Sequence, residues 1–253
     1  MSAPILEATG LTKRFGALLV ADRISLTLAP GARQALIGPN GAGKTTFVAM
    51  LSGALRPDSG SVRLAGEDVT AYAPHRRARR GLARTFQVNS QFGPLTVLEN
   101  VFLAVCEAAG LSGRMLRPAA SHRAVIERAE ALIAELDLGA ERHMPVSAIS
   151  YGKQRVVEIA LALASRPKVL LLDEPAAGIP NAEASRVFDV LDRLPADMAI
   201  LMIEHDMSIV RRFATEVTVL VNGAVLMSGS PADALSSPEV RRVYLGGGAD
   251  GRI

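Results

Sequence analysis

Tryptophan is absent from this 253-residue chain, and aromatic residues make up only 4% of it. Any core must therefore be packed from Leu, Val, Ile and Ala. A single cysteine, Cys106, sits in the apolar run VFLAVC. That excludes an internal disulfide framework, suits a reducing cytosol, and leaves Cys106 to be read as a small buried hydrophobe. No apolar stretch approaches the roughly 20 residues of a membrane-spanning helix; VLLL and MAILMI are the longest candidates. The opening MSAPILEATG lacks the basic-then-apolar order of a secretion signal. The chain is thus expected in the cytosol, reaching a membrane only through a partner. Its net charge of +3 is too small to argue for nucleic acid. The basic run HRRARR, His75 to Arg80, has no interleaved aromatics and reads as a solvated helix face or a lipid-headgroup contact.

Hydrophobic residues, at 49%, and charged residues, at 21%, are present in proportions that build a real core. The length fits one large α/β domain or a domain with an inserted lobe. Alternation predicts a half-buried strand over Ile24–Leu28, and short strands are predicted at Ala35–Ile37, Ser61–Leu64 and Leu82–Phe86. Lys44–Leu51 reads as a helix. The middle of the chain turns helical, over Val97–Cys106, Val125–Leu136 and Gly152–Ala164. In the second of these, Val125, Ala129, Leu132, Ile133 and Leu136 form one apolar stripe. The third is apolar nearly all round and should be buried. Val169–Leu172 is a continuous apolar run, as in a parallel strand covered on both faces. A helix over Ala182–Leu194 and a strand over Ala199–Ile203 complete a strand–helix–strand unit. Val217–Val221 and Ala224–Met227 flank Asn222-Gly223, a strong hairpin signal. The expectation is an α/β core interrupted by a helical lobe.

GPNGAGKTT, Gly38 to Thr46, matches G-x-x-x-x-G-K-[ST] between a predicted strand and a predicted helix. Gly38, Gly41 and Gly43 let the backbone wrap around phosphates, with the loop residues Pro39, Asn40 and Ala42 between them. The helix beginning near Gly43 adds its positive end. Lys44 brings a point charge to the β- and γ-phosphates; the Thr45 hydroxyl suits Mg²⁺, and Thr46 closes the motif. VLLLDEP, Val169 to Pro175, ends an apolar strand in two acids. Alone, these would read equally well as solvated loop acids. Beside the cradle, Asp173 fits the residue that holds Mg²⁺ and Glu174 the one that polarises an attacking water. Together the motifs imply ATP or GTP chemistry.

ISYGKQR, Ile149 to Arg155, narrows the class. It resembles the signature, usually LSGGQ, of the ABC (ATP-binding cassette) proteins, and it stands where that class has it, shortly before the second acidic motif. The resemblance covers nearly the whole chain. It implies a P-loop NTPase (RecA-like) α/β core with an antiparallel β subdomain and an inserted α-helical subdomain. The core would be 1–88 and 167–245, the helical signature subdomain 89–166, and 246–253 a flexible tail. Phe15 in LTKRFG is similar to the aromatic that stacks on adenine, with Val20 beside it; the spacing suits a core Phe equally. Gln87 in ARTFQ resembles the Gln that senses Mg²⁺ and water, and His205 in MIEHD the histidine that contacts the γ-phosphate. Ser150, Tyr151, Gly152, Lys153 and Gln154 would face ATP held by another cassette, so the class implies a dimer. His75, His122 and His143 read as ordinary surface residues, and no His/Cys cluster suggests a metal other than Mg²⁺.

SYGKQ, DEPAAG, EHDM, RRARRGLARTFQ and VRRVYLG are similar to the first of the two ATPases of branched-chain amino acid importers. That family implies transmembrane permease subunits, a second ATPase subunit and, indirectly, a periplasmic substrate-binding protein, with the chain at the cytoplasmic face of the inner membrane. In the class, a segment matching Val88–Asn100 forms the groove for a permease helix. Two features depart from the family. Lys153 replaces a Gln, which would either strengthen ATP binding or slow product release. Ile179-Pro180-Asn181 replaces the usual Leu-Asn-Pro or Leu-Asp order in a loop that normally crosses the dimer interface. Two rivals stand beside the importer. The ATPase of a lipopolysaccharide-type extraction machine shares the VRRVYLG ending. Soluble ABC ATPases of nucleic acid or ribosomes carry two cassettes or a coiled-coil insert, neither of which is present, so no nucleic-acid partner is expected. A nucleotide-binding regulator without turnover is disfavoured by Glu174 and His205.

Overall fold

A computed structural model describes residues 3–85, 91–111 and 122–245, which form two compact units. Among these, the first unit comprises 3–82, 168–174 and 195–245; the second, 83–85, 91–111, 122–167 and 175–194.

In the first unit, β1 (Leu6–Phe15), β2 (Leu18–Leu28), β4 (Ser59–Leu64) and β5 (Glu67–Asp68) form an antiparallel sheet in the order β2-β1-β4-β5. β3 (Arg33–Ile37), β7 (Val169–Asp173), β8 (Ala199–Ile203), β9 (Glu216–Val221) and β10 (Ala224–Gly229) run in the order β10-β9-β3-β8-β7 of a second sheet. Here β9-β3, β3-β8 and β8-β7 pair parallel, and β9-β10 antiparallel. β6 (Leu82–Arg84) starts at the edge of the unit, where the Gly81 carbonyl accepts from the Lys168 and Val169 amides. All five residues of β7 and of β8 are buried, which explains their unbroken apolar runs.

Helix α1 (Lys44–Ser52) follows β3 and buries Phe47, Val48, Met50 and Leu51 in a cluster with Leu36, Leu171, Leu201 and Leu220. Each such side chain contributes about 1.5–3 kcal/mol on burial. α2 (Pro74–Ala78) carries Arg77, which is 0% exposed. Its guanidinium donates to the carbonyls of Met50, Leu51, Thr70 and Tyr72, and so satisfies the last turn of α1. The basic run is therefore not a uniformly solvated face: four backbone oxygens draw one of its arginines inward.

The second unit holds α3 (Val97–Ala108), α4 (Arg123–Glu135), α5 (Tyr151–Leu163) and α6 (Asn181–Asp192). α3 opens with a capping box: Thr96 Oγ1 accepts from Glu99 N–H at 3.2 Å, and Glu99 Oε2 accepts from Thr96 N–H at 2.7 Å. α4 buries Val125, Ala129, Leu132 and Ile133, the stripe read from sequence, though Leu136 falls just past its end. Cys106 is half-buried rather than buried, on α3. The sequence boundaries place 175–194 with the core, whereas here α6 packs with α5 in the second unit. The first unit also contains α7 (Met207–Phe213), α8 (Pro231–Ser236) and α9 (Pro238–Leu245). Among the described residues, no helix is long and apolar enough to cross a membrane.

Candidate functional site

Three loops of the first unit leave the sheet at one level. Ile203, the last residue of β8, lies in register with Leu36 of β3 and with Asp173 of β7. The cradle after β3, the acids closing β7 and the Glu204-His205 step after β8 therefore emerge side by side. This is the carboxyl edge of a parallel sheet, where open α/β folds bind ligands.

Glycine is required in the cradle by both conformation and space. Gly38, Gly41 and Gly43 have φ of 151°, 79° and 96°. A Cβ on Gly38 would stand 2.2 Å from the Leu220 carbonyl oxygen, and one on Gly43 2.5 Å from that of Val20. The β9–β10 turn braces the loop from behind, as Gly223 N–H donates to Ala42 O at 3.1 Å. Asn222 and Gly223 have φ of 49° and 80°, the left-handed pair that a tight hairpin needs. Lys44 is buried, and its ammonium donates to Gly38 O at 2.6 Å and Pro39 O at 3.0 Å. Burial lowers its pKa, against the opposing pull of the Glu174 and Asp173 carboxylates. Asn40, Gly41 and Thr45 are exposed, and Pro39 and Thr46 half-buried, on the open side of the loop.

Asp173 is buried at the end of β7, and Glu174 follows in a left-handed conformation, φ 47°. Such a backbone costs about 1 kcal/mol or more in a non-glycine residue. It is held by a bond from Glu174 N–H to Ile203 O at 3.1 Å. His205 is 63% exposed, with Nδ1 3.7 Å from Glu174 Oε1 and 3.8 Å from Glu204 Oε2. Sequence reasoning missed Glu204, which is 1% exposed. Its Oε2 accepts from the His205 and Asp206 amides at 3.0 and 3.3 Å, while Oε1 has no protein partner. Burial raises its pKa, the two amides pull it down, and nearby Glu174 adds to the rise. The only signal in the sequence was an acid directly before His205.

Phe15 is 51% exposed, so it is not a core residue, and its ring faces the Lys13 ammonium at 5.8 Å. Val20 is half-buried on β2. Gln87 lies outside the described residues, as do positions 88–90 of the Val88–Asn100 segment. In the rest of that segment Phe92 is exposed. Asn100 is buried, and its amide ties the Phe92 and Leu95 carbonyls to the start of α3.

The second unit gathers the signature residues at the start of α5. Ser150 is the residue before the first turn, yet its side chain makes no cap bond to its own helix. Its Oγ donates instead to Glu183 Oε2 at 3.0 Å, and the Gly152 amide donates to the same oxygen at 2.8 Å. Glu183 was not singled out in the sequence, where it is one acid in an amphipathic helix. The Tyr151 hydroxyl accepts from Arg155 at 2.8 Å, and Arg155 also pairs with buried Glu158. Lys153 is ion-paired with Glu141. The Gln154 side chain turns back to Ile149 O, and its own carbonyl accepts from Gln91. Among the described residues no group of His, Cys, Asp and Glu forms a metal-binding cluster. The donors at the cradle are hard oxygens, the buried Asp173 carboxylate and the exposed Thr45 hydroxyl, which fit Mg²⁺ rather than a softer metal.

Comparison with known proteins agrees with this arrangement. The model of the ABC transporter family matches residues 21–177. The high-affinity branched-chain amino acid transport ATP-binding protein BraF of Pseudomonas aeruginosa is 37% identical, covering 97% of this chain and 99% of that protein. LivG of Escherichia coli, with the same description, is 35% identical over the same shares. Among solved structures, an ATP-binding cassette of an ABC transporter in its ADP conformation aligns with a TM-score of 0.86 at 28% identity, covering 97% of this chain and all of the other. The fold is that of a P-loop NTPase with an antiparallel β subdomain and a helical subdomain, and the chain belongs to the ABC transporter family.

Proposed function

We propose that this chain binds and hydrolyses ATP to power an importer of branched-chain or related amino acids. The observation that carries the chemistry is the convergence of Lys44, Asp173, Glu174 and His205 at one edge of a parallel sheet. The names of near full-length relatives supply the substrate class and favour the importer over a lipid-extraction ATPase or a soluble cassette.

In this reading the adenine stacks on exposed Phe15 beside Val20. The glycine-lined loop 38–46 and the first turn of α1 take the phosphates on backbone N–H groups. Lys44 turns from the Gly38 and Pro39 carbonyls to the β- and γ-phosphate oxygens, where its charge offsets what develops in the transition state. Thr45 and Asp173, with Gln87, would hold Mg²⁺, which supplies further charge neutralisation. Glu174 accepts a proton from the attacking water, and His205 positions the γ-phosphate end. The core and helical subdomains of the sequence reading then divide the labour. The core holds one ATP, while Ser150, Tyr151, Gly152, Lys153 and Gln154 face the ATP held by a second cassette, a copy of this chain or a related ATPase. Binding favours the closed pair because only that state makes both sets of contacts.

The chain is placed at the cytoplasmic face of the inner membrane by permease subunits, with a periplasmic binding protein beyond them and no nucleic acid involved. Purifying the tagged chain from detergent-solubilised native membranes tests this. Two polytopic permeases and a second ATPase are expected to come with it. A lipid-extraction permease pair, or a preparation bound to nucleic acid or ribosomes, would overturn the importer.

A further inference from the structure

We propose that Glu183 is an internal latch on the signature helix. Its carboxylate holds the place that the γ-phosphate of a second cassette's ATP must take, and it has to leave before the two cassettes close on nucleotide. The inference rests on the sandwich reading above and adds to it a residue that sets how much ATP closure requires.

The start of α5 is built to receive one anion, and one is already there. Ser150 spends its hydroxyl on Glu183 Oε2 rather than on its own helix, and Gly152 N–H points at the same oxygen. A Cβ on Gly152 would lie 2.5 Å from that oxygen and 2.9 Å from Glu183 Cβ, so the bare glycine lets the acid press against the helix. A carboxylate there is favoured by the positive end of the helix, as is a phosphate. Two anions on the same two donors repel, so occupation is exclusive.

The released carboxylate has somewhere to go. A cavity of about 310 Å³ in the same unit is lined by Ser150, Gly152 and Glu183, and its other charged residues are three cations, Lys153, Arg186 and Arg193, and two acids, Asp137 and Asp189. Arg186 follows Glu183 by three residues on α6, the spacing at which helical side chains meet. The latch thus has two arrangements, carboxylate on the signature or carboxylate toward Arg186, and ATP bound across the dimer selects the second.

The test uses the full chain with Glu174→Gln to stop turnover, mixed with its dimer partner, and compares it with the same chain also carrying Glu183→Gln or Glu183→Ala. The ATP concentration for half-maximal association, read by sedimentation, is expected to fall about tenfold in both. ATP affinity of the separate chain, read with a fluorescent nucleotide, should stay within about twofold. Amide exchange at Gly152 in the ATP-free chain should speed up in the alanine variant. An unchanged or higher association midpoint, with normal ATP binding and association in the parent, overturns the latch alone. A mere structural anchor would give that result together with a lowered melting temperature. Absence of ATP-driven association in every protein overturns the sandwich, and the latch with it.

Discussion

The two units each begin a helix at an anion-receiving turn, and each turn carries a charged side chain of its own chain, a cation in the first and an anion in the second. At α1 the first unit turns a cation inward, Lys44 donating to the Gly38 and Pro39 carbonyls of its own loop. At α5 the second unit brings in an anion, Glu183, to the donors Ser150 and Gly152. The first arrangement leaves the helix N–H groups for a phosphate and stores the lysine beside the place it will act. The second covers the donors themselves. A cradle of the first kind takes nucleotide on its own; one of the second kind must first exchange an anion. Under the function and the latch proposed above, nucleotide capture belongs to the first unit and the control of closure to the second.

The sharpest break in that comparison is Glu174→Gln. The amide keeps the shape of Glu174 but loses the proton acceptor, so phosphate release should fall about a hundredfold or more. ATP binding should be retained, since the cradle is untouched. Near-normal turnover would remove Glu174 from the chemistry. Next is Arg77→Ala, which separates structure from function within the first unit. Four carbonyls lose a buried donor whose pKa burial has lowered to about 10, and denaturant unfolding should show a loss of about 3 kcal/mol. A loss below about 1 kcal/mol would mean that water replaces the guanidinium. Lys44→Ala should weaken ATP binding about tenfold to a hundredfold, the equivalent of a charge-assisted contact of about 1.5–3 kcal/mol. Titration with nucleotide would reveal it, and unchanged affinity would count against the cradle.

These variants also mark what was legible before the structure. The cradle could be read because its glycines answer to local conformation: φ of 151°, 79° and 96° at fixed spacing. The Asn222-Gly223 hairpin was legible for the same reason, and β7 because a strand buried on both faces loses its alternation. Strand β1 left no clear trace, since its register with β2 shifts between Ala8 and Leu11 and again before Lys13, which breaks the period of two. α7 is too short, at Met207–Phe213, to show a helical period. Arg77 hid in a plain basic run, and Glu183 as one acid of an amphipathic helix. Periodicity tells which face of an element turns inward, but not that a carboxylate 33 residues from Ser150 will cover its hydroxyl. Tertiary pairing of polar groups is decided by neighbours that local sequence does not name.

The smallest expected effect concerns Glu204, the buried acid behind His205, and it asks whether the first unit also stores an uncomfortable charge. Burial raises its folded pKa above the ordinary glutamate value, with Glu174 adding to the rise. The folded chain therefore holds this proton more tightly than the unfolded chain does. Its contribution to stability is fully present below the ordinary value of about 4.3 and is lost as pH rises through the raised folded value. Above its raised folded value the ionised group, with Oε1 unpartnered, is a cost that the bonds from the His205 and Asp206 amides only partly offset. Glu204→Gln keeps an acceptor for those amides and removes the charge. Thermal unfolding between pH 5 and 8 should show the variant equal to or more stable than the parent, by about 1 kcal/mol at the upper end, with a flatter slope against pH. A variant that is less stable throughout would mean the carboxylate is favourably paired, and that the first unit, like the second, keeps an anion on a donor set made for it.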